Sequence, residues 1–201
     1  FEEGEFTPRR LLCNPKEHEA VSDYVLLTSD TSLRNAALIT PNVSTDGSFT
    51  KTWKYEDGEW WLYKLQSAEA TRSEVEISKV LRACGWDAAE YRYIGSYRKR
   101  IKSRNFLGEH EFFEPYDSFR YAFSDISEDE DIVMSNISAL GEACRTAWKR
   151  ILLADALFLN GDRHMRNFGV IRSTKTGEVL RLAPNFDNNQ AYRGNPGGHY
   201  S

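Results

Sequence analysis

The sequence predicts an α+β fold, β-rich in its first half and helical in its second. Three observations carry this. Alternating apolar and polar runs between Ala36 and Leu65 are broken by Asp-Gly turns. A helical apolar face runs from Val75 to Cys84. A second apolar series, from Ile137 to Phe158, steps by threes and fours.

Residues 1–34 offer only the apolar clusters "PRRLL" and "DYVLL" and receive no chemistry. From Ala36 onward "AALIT", "FTKTWKY" and "EWWLYKL" read as strands of an antiparallel meander. Asp46-Gly47 and Asp57-Gly58 supply the positive φ that tight hairpins need. In "TRSEVEISKVLRACG", Thr71 and Glu74 match a capping box, and the helix stops at Gly85. "YRYIGSYRKRIKSRNFL" suggests a further hairpin broken at Gly95. Its basic residues Arg98, Lys99, Arg100, Lys102 and Arg104 are mostly spaced by two, which predicts a solvated sheet face rather than an anion-binding patch.

The acidic run "SDISEDEDIVMS" reads as a solvated connection between the β-rich and helical halves. After it, Ile137, Leu140, Cys144, Ala147, Ile151, Ala154 and Phe158 predict one long helix through Asn160, stopped by Asn160-Gly161. "FGVIRS", "KTG" and "EVLRLAP" then predict a short hairpin.

With 201 residues, 40% hydrophobic and 13% aromatic, the chain can bury a substantial core. A net charge of −4 gives no general pull toward nucleic acid or an anionic membrane surface. Cys13, Cys84 and Cys144 are odd in number, widely spaced and without a CxxC pair, which suggests neither a disulfide framework nor a zinc site and fits a reducing compartment. Cys84 and Cys144 fall on apolar helical positions and are expected to be buried. The apolar runs fall short of the ~20 residues a membrane helix needs, and Phe1 opens an acidic segment rather than a signal peptide. A cytoplasmic protein is expected.

Chemistry concentrates in "NGDRHMRNFG", residues 160–169. A helix stop accounts for Asn160, Gly161, Arg163 and His164, but an acid at a helix C-terminus opposes the dipole, so Asp162 is unexplained. The hairpin from Phe168 to Pro184 would return Asp187 beside this loop. Asp162, Asn167 and Asp187 would then offer two carboxylates and an amide, the hard oxygen set that Mg²⁺-assisted phosphoryl transfer uses. "DRHMRN" also has the D-x-x-x-x-N spacing of protein kinase catalytic loops. Upstream, Lys64 shares a strand face with Trp60 and Leu62, and Glu74 on the next helix could pair with it, in competition with its capping role. Arg163 and Arg166 have no role beyond offsetting nearby acids or phosphate. A rival assignment makes Asp162, His164 and Asp187 the metal ligands of a phosphohydrolase.

The residues "STDGSFTK" (44–51), "LYK" (62–64), the helix carrying Glu74, "ADALFLNGDRHMRNFGV" (154–170) and "LAPNFDNN" (182–189) resemble the HipA-like serine/threonine kinases. That resemblance implies a two-lobed, protein-kinase-like fold. Residues 1–106 would form a β-rich N-lobe and residues 107–201 a helical C-lobe, incomplete because the chain ends soon after Asp187. It implies ATP and Mg²⁺ as cofactors, Asp162 as catalytic base, His164 as a supporting catalytic residue, and Asn167 and Asp187 as metal ligands. Lys64, positioned by Glu74, would hold the α/β-phosphates. A loop around Gly47, with Ser44 and Lys51 at its ends, would cover the phosphates, and Ser44 would be a candidate for autophosphorylation. Ser103 to Phe106 would be the hinge facing adenine. Implied partners are a protein with a serine or threonine acceptor and an antitoxin, with no direct nucleic-acid binding and no membrane. The turn "STDGS" has one glycine where such loops often carry three, and "DNN" stands where protein kinases have Asp-Phe-Gly. The third possibility is a kinase-like nucleotide-binding or interaction module without turnover.

Overall fold

A computed structural model describes residues 50–95 and 99–192. Cys13, the strand expected at 36–40, the turn at Asp46-Gly47, Ser44 and Arg98 lie outside the described residues.

The first sheet is built as the alternation requires. Strands β1 (Thr50–Glu56) and β2 (Glu59–Leu65) form a hairpin in which Lys51 stands opposite Lys64. Asp57 and Gly58 close it with φ of 52° and 85°. Strands β3 (Tyr91–Tyr93) and β4 (Arg100–Arg104) complete an antiparallel sheet ordered β1-β2-β4-β3. Trp60, Leu62 and Lys64 occupy one face, while Trp61, Tyr63, Arg92, Lys102 and Arg104 occupy the other. There Lys102 and Arg92 lie 4.5 and 4.8 Å from the Trp61 ring centroid, Lys102 pairs with Glu56 and Arg104 with Glu59. Of the basic row, Lys102 and Arg104 are thus paired with acids on this face and Lys99, Arg100 and Arg104 are exposed, while Arg98 lies outside the described residues.

Helix α1 (Ala68–Ala83) packs Val75 against Tyr91 and Ile101 of the sheet. Its cap is Ser67, whose Oγ accepts a hydrogen bond from the Ala70 amide at 3.2 Å. The capping box expected at Thr71 does not form. Ala-Glu-Ala after Ser67 are strong helix formers, so the helix begins four residues, just over a turn, earlier, and Thr71 is buried inside it. Gly85, at φ 72°, ends α1 as expected, but Cys84 is the exposed C-cap residue rather than a buried one.

A second antiparallel sheet, ordered β5-β6-β7, comprises β5 (Glu111–Pro115), β6 (Gly169–Ser173) and β7 (Val179–Leu182). The expected hairpin supplies β6 and β7. Between β5 and β6 run helices α2 (Tyr116–Phe119), α3 (Glu130–Ala139) and α4 (Glu142–Phe158). The single long helix expected here is two helices, broken at Gly141, whose φ of 116° no L side chain adopts comfortably. Val133 and Ile137 from α3, and Cys144, Trp148 and Ile151 from α4, still share one core with Tyr116, Phe168, Val170 and Leu182. Helix α4 ends at Phe158, before the Asn160-Gly161 stop, because Leu159 takes the left-handed conformation with φ 53°. The acidic run divides as well. Asp129 caps α3 by accepting from the Asp131 amide, and Glu130 and Asp131 lie in the first turn, where the helix dipole favours them. Since β5 precedes the run and β6 follows it, it does not separate a β half from a helical half.

Gly169 allows β6 to approach β5. A Cβ there would collide with the Glu114 carbonyl oxygen and stand 2.7 Å from Pro115 Cα. Gly169→Ala is therefore expected to lower stability by about 1–3 kcal/mol, read as a lower urea midpoint at unchanged slope. Among the described residues no helix is long and apolar enough to cross a membrane.

Candidate functional site

Period-two alternation in β2 turns Lys64 inward, beneath the first sheet and toward α1. It is 5% exposed, and its Nζ lies 2.7 Å from Glu74 Oε1 and 3.0 Å from Asp187 Oδ1. Gln66, two residues on along the chain, donates from Nε2 to the other Glu74 oxygen at 3.1 Å. Because Ser67 caps α1, Glu74 is released from the capping role and serves the lysine. Asp187 adopts φ 59°, a conformation acidic side chains tolerate better than most. Its amide donates to the Tyr91 hydroxyl at 3.2 Å, and Asn189 Nδ2 donates to its Oδ1 at 3.0 Å. The Lys64 ammonium lies 5.3 Å from the centre of the Tyr91 ring.

One buried cation here serves two carboxylates. Burial works against the Lys64 charge, but Asp187 and Glu74 outweigh it and hold the ammonium well above its usual range. Burial likewise opposes ionisation of Asp187, and the Lys64 charge, a hydrogen bond with Glu74 and then the Lys51 charge overcome it, keeping this carboxyl well below the usual range. Glu74 is the group left short. Burial, with Asp187 repelling it, outweighs Lys64 and pushes it up to about 7.

The loop after α4 carries the other candidates. Asn167 is buried and donates from Nδ2 to the Asp162 carbonyl at 3.1 Å, while its amide donates to the His164 carbonyl at 2.8 Å. This commits the Asn167 NH₂ and leaves its Oδ1 as the donor atom for a cation. Asp162 is partly exposed; His164 is exposed, and its Nδ1 accepts from the Arg166 amide at 3.3 Å. Arg166 Nε reaches Asp117 at 3.3 Å. Arg163 has a larger part than its sequence context suggested. It is clasped by Asp155 of α4 at 2.8 and 2.9 Å, and donates to the carbonyls of Asn167 at 2.8 Å and Phe186 at 2.7 Å.

The structure therefore gathers Lys64, Glu74 and Asp187, with Lys51 close enough to act on Asp187, and joins the Asp162–Asn167 loop to the Asp187 segment through Arg163. Ser103 lies inside β4, opposite Leu62 and Tyr91, so the connection between the sheets runs from Asn105 to His110 rather than starting at Ser103. Phe106 belongs to that connection and packs against Phe113 and Phe186. Gly47 and Ser44 lie outside the described residues. Gln66, Tyr91 and Arg163 were missed. An acid within the apolar run of α4 was the one available signal for Arg163, since a buried Asp155 needs a cation.

Asn167 and Asp187 are hard oxygen donors, and one carboxylate with one amide suits Mg²⁺, which keeps phosphate and water as its remaining ligands. Among the described residues no group of three or more His, Cys, Asp or Glu could hold a metal. The phosphohydrolase assignment of Asp162, His164 and Asp187 therefore loses its ligand set.

No family model matches the chain, and no curated sequence matches it. Among solved structures, the Helicobacter pylori proinflammatory kinase CtkA superposes with a TM-score of 0.61 at 18% identity, over 76% of this chain and 57% of that one. A chain of the Shewanella oneidensis MR-1 complex of HipA, HipB and operator DNA matches with a TM-score of 0.49 at 14% identity, over 74% of this chain and 44% of that one. The chain shares the two-lobed α+β fold of CtkA and spans 57% of its length.

Proposed function

We propose that the chain carries the catalytic centre of an ATP- and Mg²⁺-dependent protein serine/threonine kinase of HipA-like type. The observation that supports this best is Lys64 of β2 bonded at once to Glu74 of α1 and to Asp187 in the segment after β7, in a kinase fold. In this reading Lys64, steadied by Glu74, holds the α/β-phosphates, and Lys51, with Ser44 and Gly47 before it in the chain, is assigned to the phosphate-covering loop. The connection after β4 lies along adenine. Asp162, on the open side of its loop, accepts the proton of the acceptor hydroxyl, and His164 supports that loop. Asn167 Oδ1 and the Asp187 carboxylate hold Mg²⁺, which when bound offsets charge on the transferring phosphoryl group. Catalysis by this chain is then positioning and charge placement rather than covalent chemistry.

Incubation of the protein with Mg-ATP and a generic serine/threonine acceptor, followed by intact mass, tests this directly. A gain of one phosphate mass on the protein or the acceptor is expected. Thermal stabilisation by Mg-ATP without any transfer would replace the kinase by a nucleotide-binding module, and neither effect would overturn both.

A further inference from the structure

The Arg163 side chain is 7% exposed, although it sits between Asp162 and His164 in a loop that is otherwise partly open. Its guanidinium spans three segments. Asp155 grips it from α4 through both carboxylate oxygens. On the other side Nη1 donates to the carbonyl of Asn167 and to the carbonyl of Phe186, the residue before Asp187. Nη2 adds Asn188 Oδ1 at 2.8 Å and Asn185 Oδ1 at 3.3 Å, and Asn160 Nδ2 donates to Asp155 Oδ1 at 2.8 Å, closing the network.

We infer that Arg163 is a positioning residue that sets the spacing between the loop bearing Asp162 and Asn167 and the segment bearing Asp187. The inference rests on the kinase reading for its catalytic meaning, because those segments are the two halves of the metal site proposed above. The fork geometry is the reason for an arginine. One rigid planar group with five donors can meet a carboxylate on one edge and two carbonyls on the other, whereas a lysine, with three donors on a single nitrogen, lacks the span to reach Asp155 and both carbonyls at once. Anchoring through Asp155 refers both segments to the same rigid helix. Asp187 is held on the opposite side by Lys64 and Tyr91, so its separation from Asn167 is fixed from two directions.

Two variants test this. Arg163→Lys keeps the charge on Asp155 and gives up the carbonyls. The pair Asp155→Asn with Arg163→Gln removes both charges together, so no unpaired ion is left buried. Hydrogen exchange of the full chain is expected to quicken in 162–167 and 185–189 at once, with α4 still protected. ATP affinity without metal is expected to stay within about twofold of the parent, while the tightening of ATP binding by Mg²⁺ weakens about 10- to 100-fold, as for other supports of metal ligands. Loops that exchange as in the parent, or a Mg²⁺ response equal to the parent's, in both variants, would overturn the inference. A parent protein that shows no Mg²⁺-dependent ATP binding would instead overturn the kinase reading, and the exchange experiment would still decide whether Arg163 couples the two segments.

Discussion

Asp162→Asn is expected to leave a folded protein that still binds Mg-ATP and transfers phosphate about 10²- to 10⁴-fold more slowly, the usual worth of a positioned general base. The substitution is close to isosteric, and the group of Asp162 that the fold uses is its backbone carbonyl, which accepts from Asn167 Nδ2. The side chain is partly exposed. Replacing its carboxylate by an amide therefore removes the proton acceptor and leaves the loop's hydrogen bonds in place. Single-turnover transfer, measured beside calorimetric ATP affinity, separates the two effects. Equal loss of ATP binding and transfer would move Asp162 from base to structural support, and undiminished transfer would remove it from the mechanism.

What could be read from the sequence divides along physical lines. The β1–β2 and β6–β7 hairpins were legible because alternation and turn chemistry are local. The inward placement of Lys64 followed from the same alternation. The break between α3 and α4 was hidden because the spacing of Ile137, Cys144 and Ile151 reports which residues face the core and continues across Gly141. The order β1-β2-β4-β3 was hidden because α1 intervenes between β2 and β3, and no local signal says which later strand returns to β2. At the site, Lys64 and Glu74 are opposite charges on a strand and the next helix and could be paired, whereas the bond from Lys64 to Asp187, 123 positions away, carried no local signal. Arg163 was opaque because two of its acceptors are the carbonyls of Asn167 and Phe186, which any residue at those positions would supply. The cap was misplaced for a related reason: Ser67 and Thr71 both suit that role, and helix propensity in the residues between them decided the matter.

Glu74→Gln is expected to gain stability at neutral pH while losing catalytic rate. The folded carboxyl is pushed up to about 7 from an unfolded value of 4.5, so folding favours its protonated form. A raised acid pKa makes folding most favourable below about pH 4.5 and progressively less so up to about pH 7, beyond which the cost is constant. The displacement corresponds to about 3 kcal/mol. Within that window Asp187, held well below its usual range, stays ionised, and Lys64, held well above, stays charged. The difference between parent and variant therefore isolates Glu74. A glutamine keeps the shape of the carboxyl group. Its oxygen faces Lys64 and its NH₂ faces Gln66, whose Oε1 is buried without a partner and can turn to accept it, while the Gln66 NH₂ gives up the Glu74 oxygen it bonds in the parent and offsets part of the gain. Urea denaturation from pH 5 to pH 8 is expected to show the parent losing stability relative to the variant as pH rises. Phosphate transfer by the variant is expected to fall about 100-fold, because Lys64, held by Asp187 without a second anion on α1, is drawn off the position from which it meets the phosphates. A variant with the parent's pH profile would mean that Glu74 is ionised throughout and fully compensated by Lys64. A variant with the parent's rate would mean that Asp187 alone suffices to place the lysine.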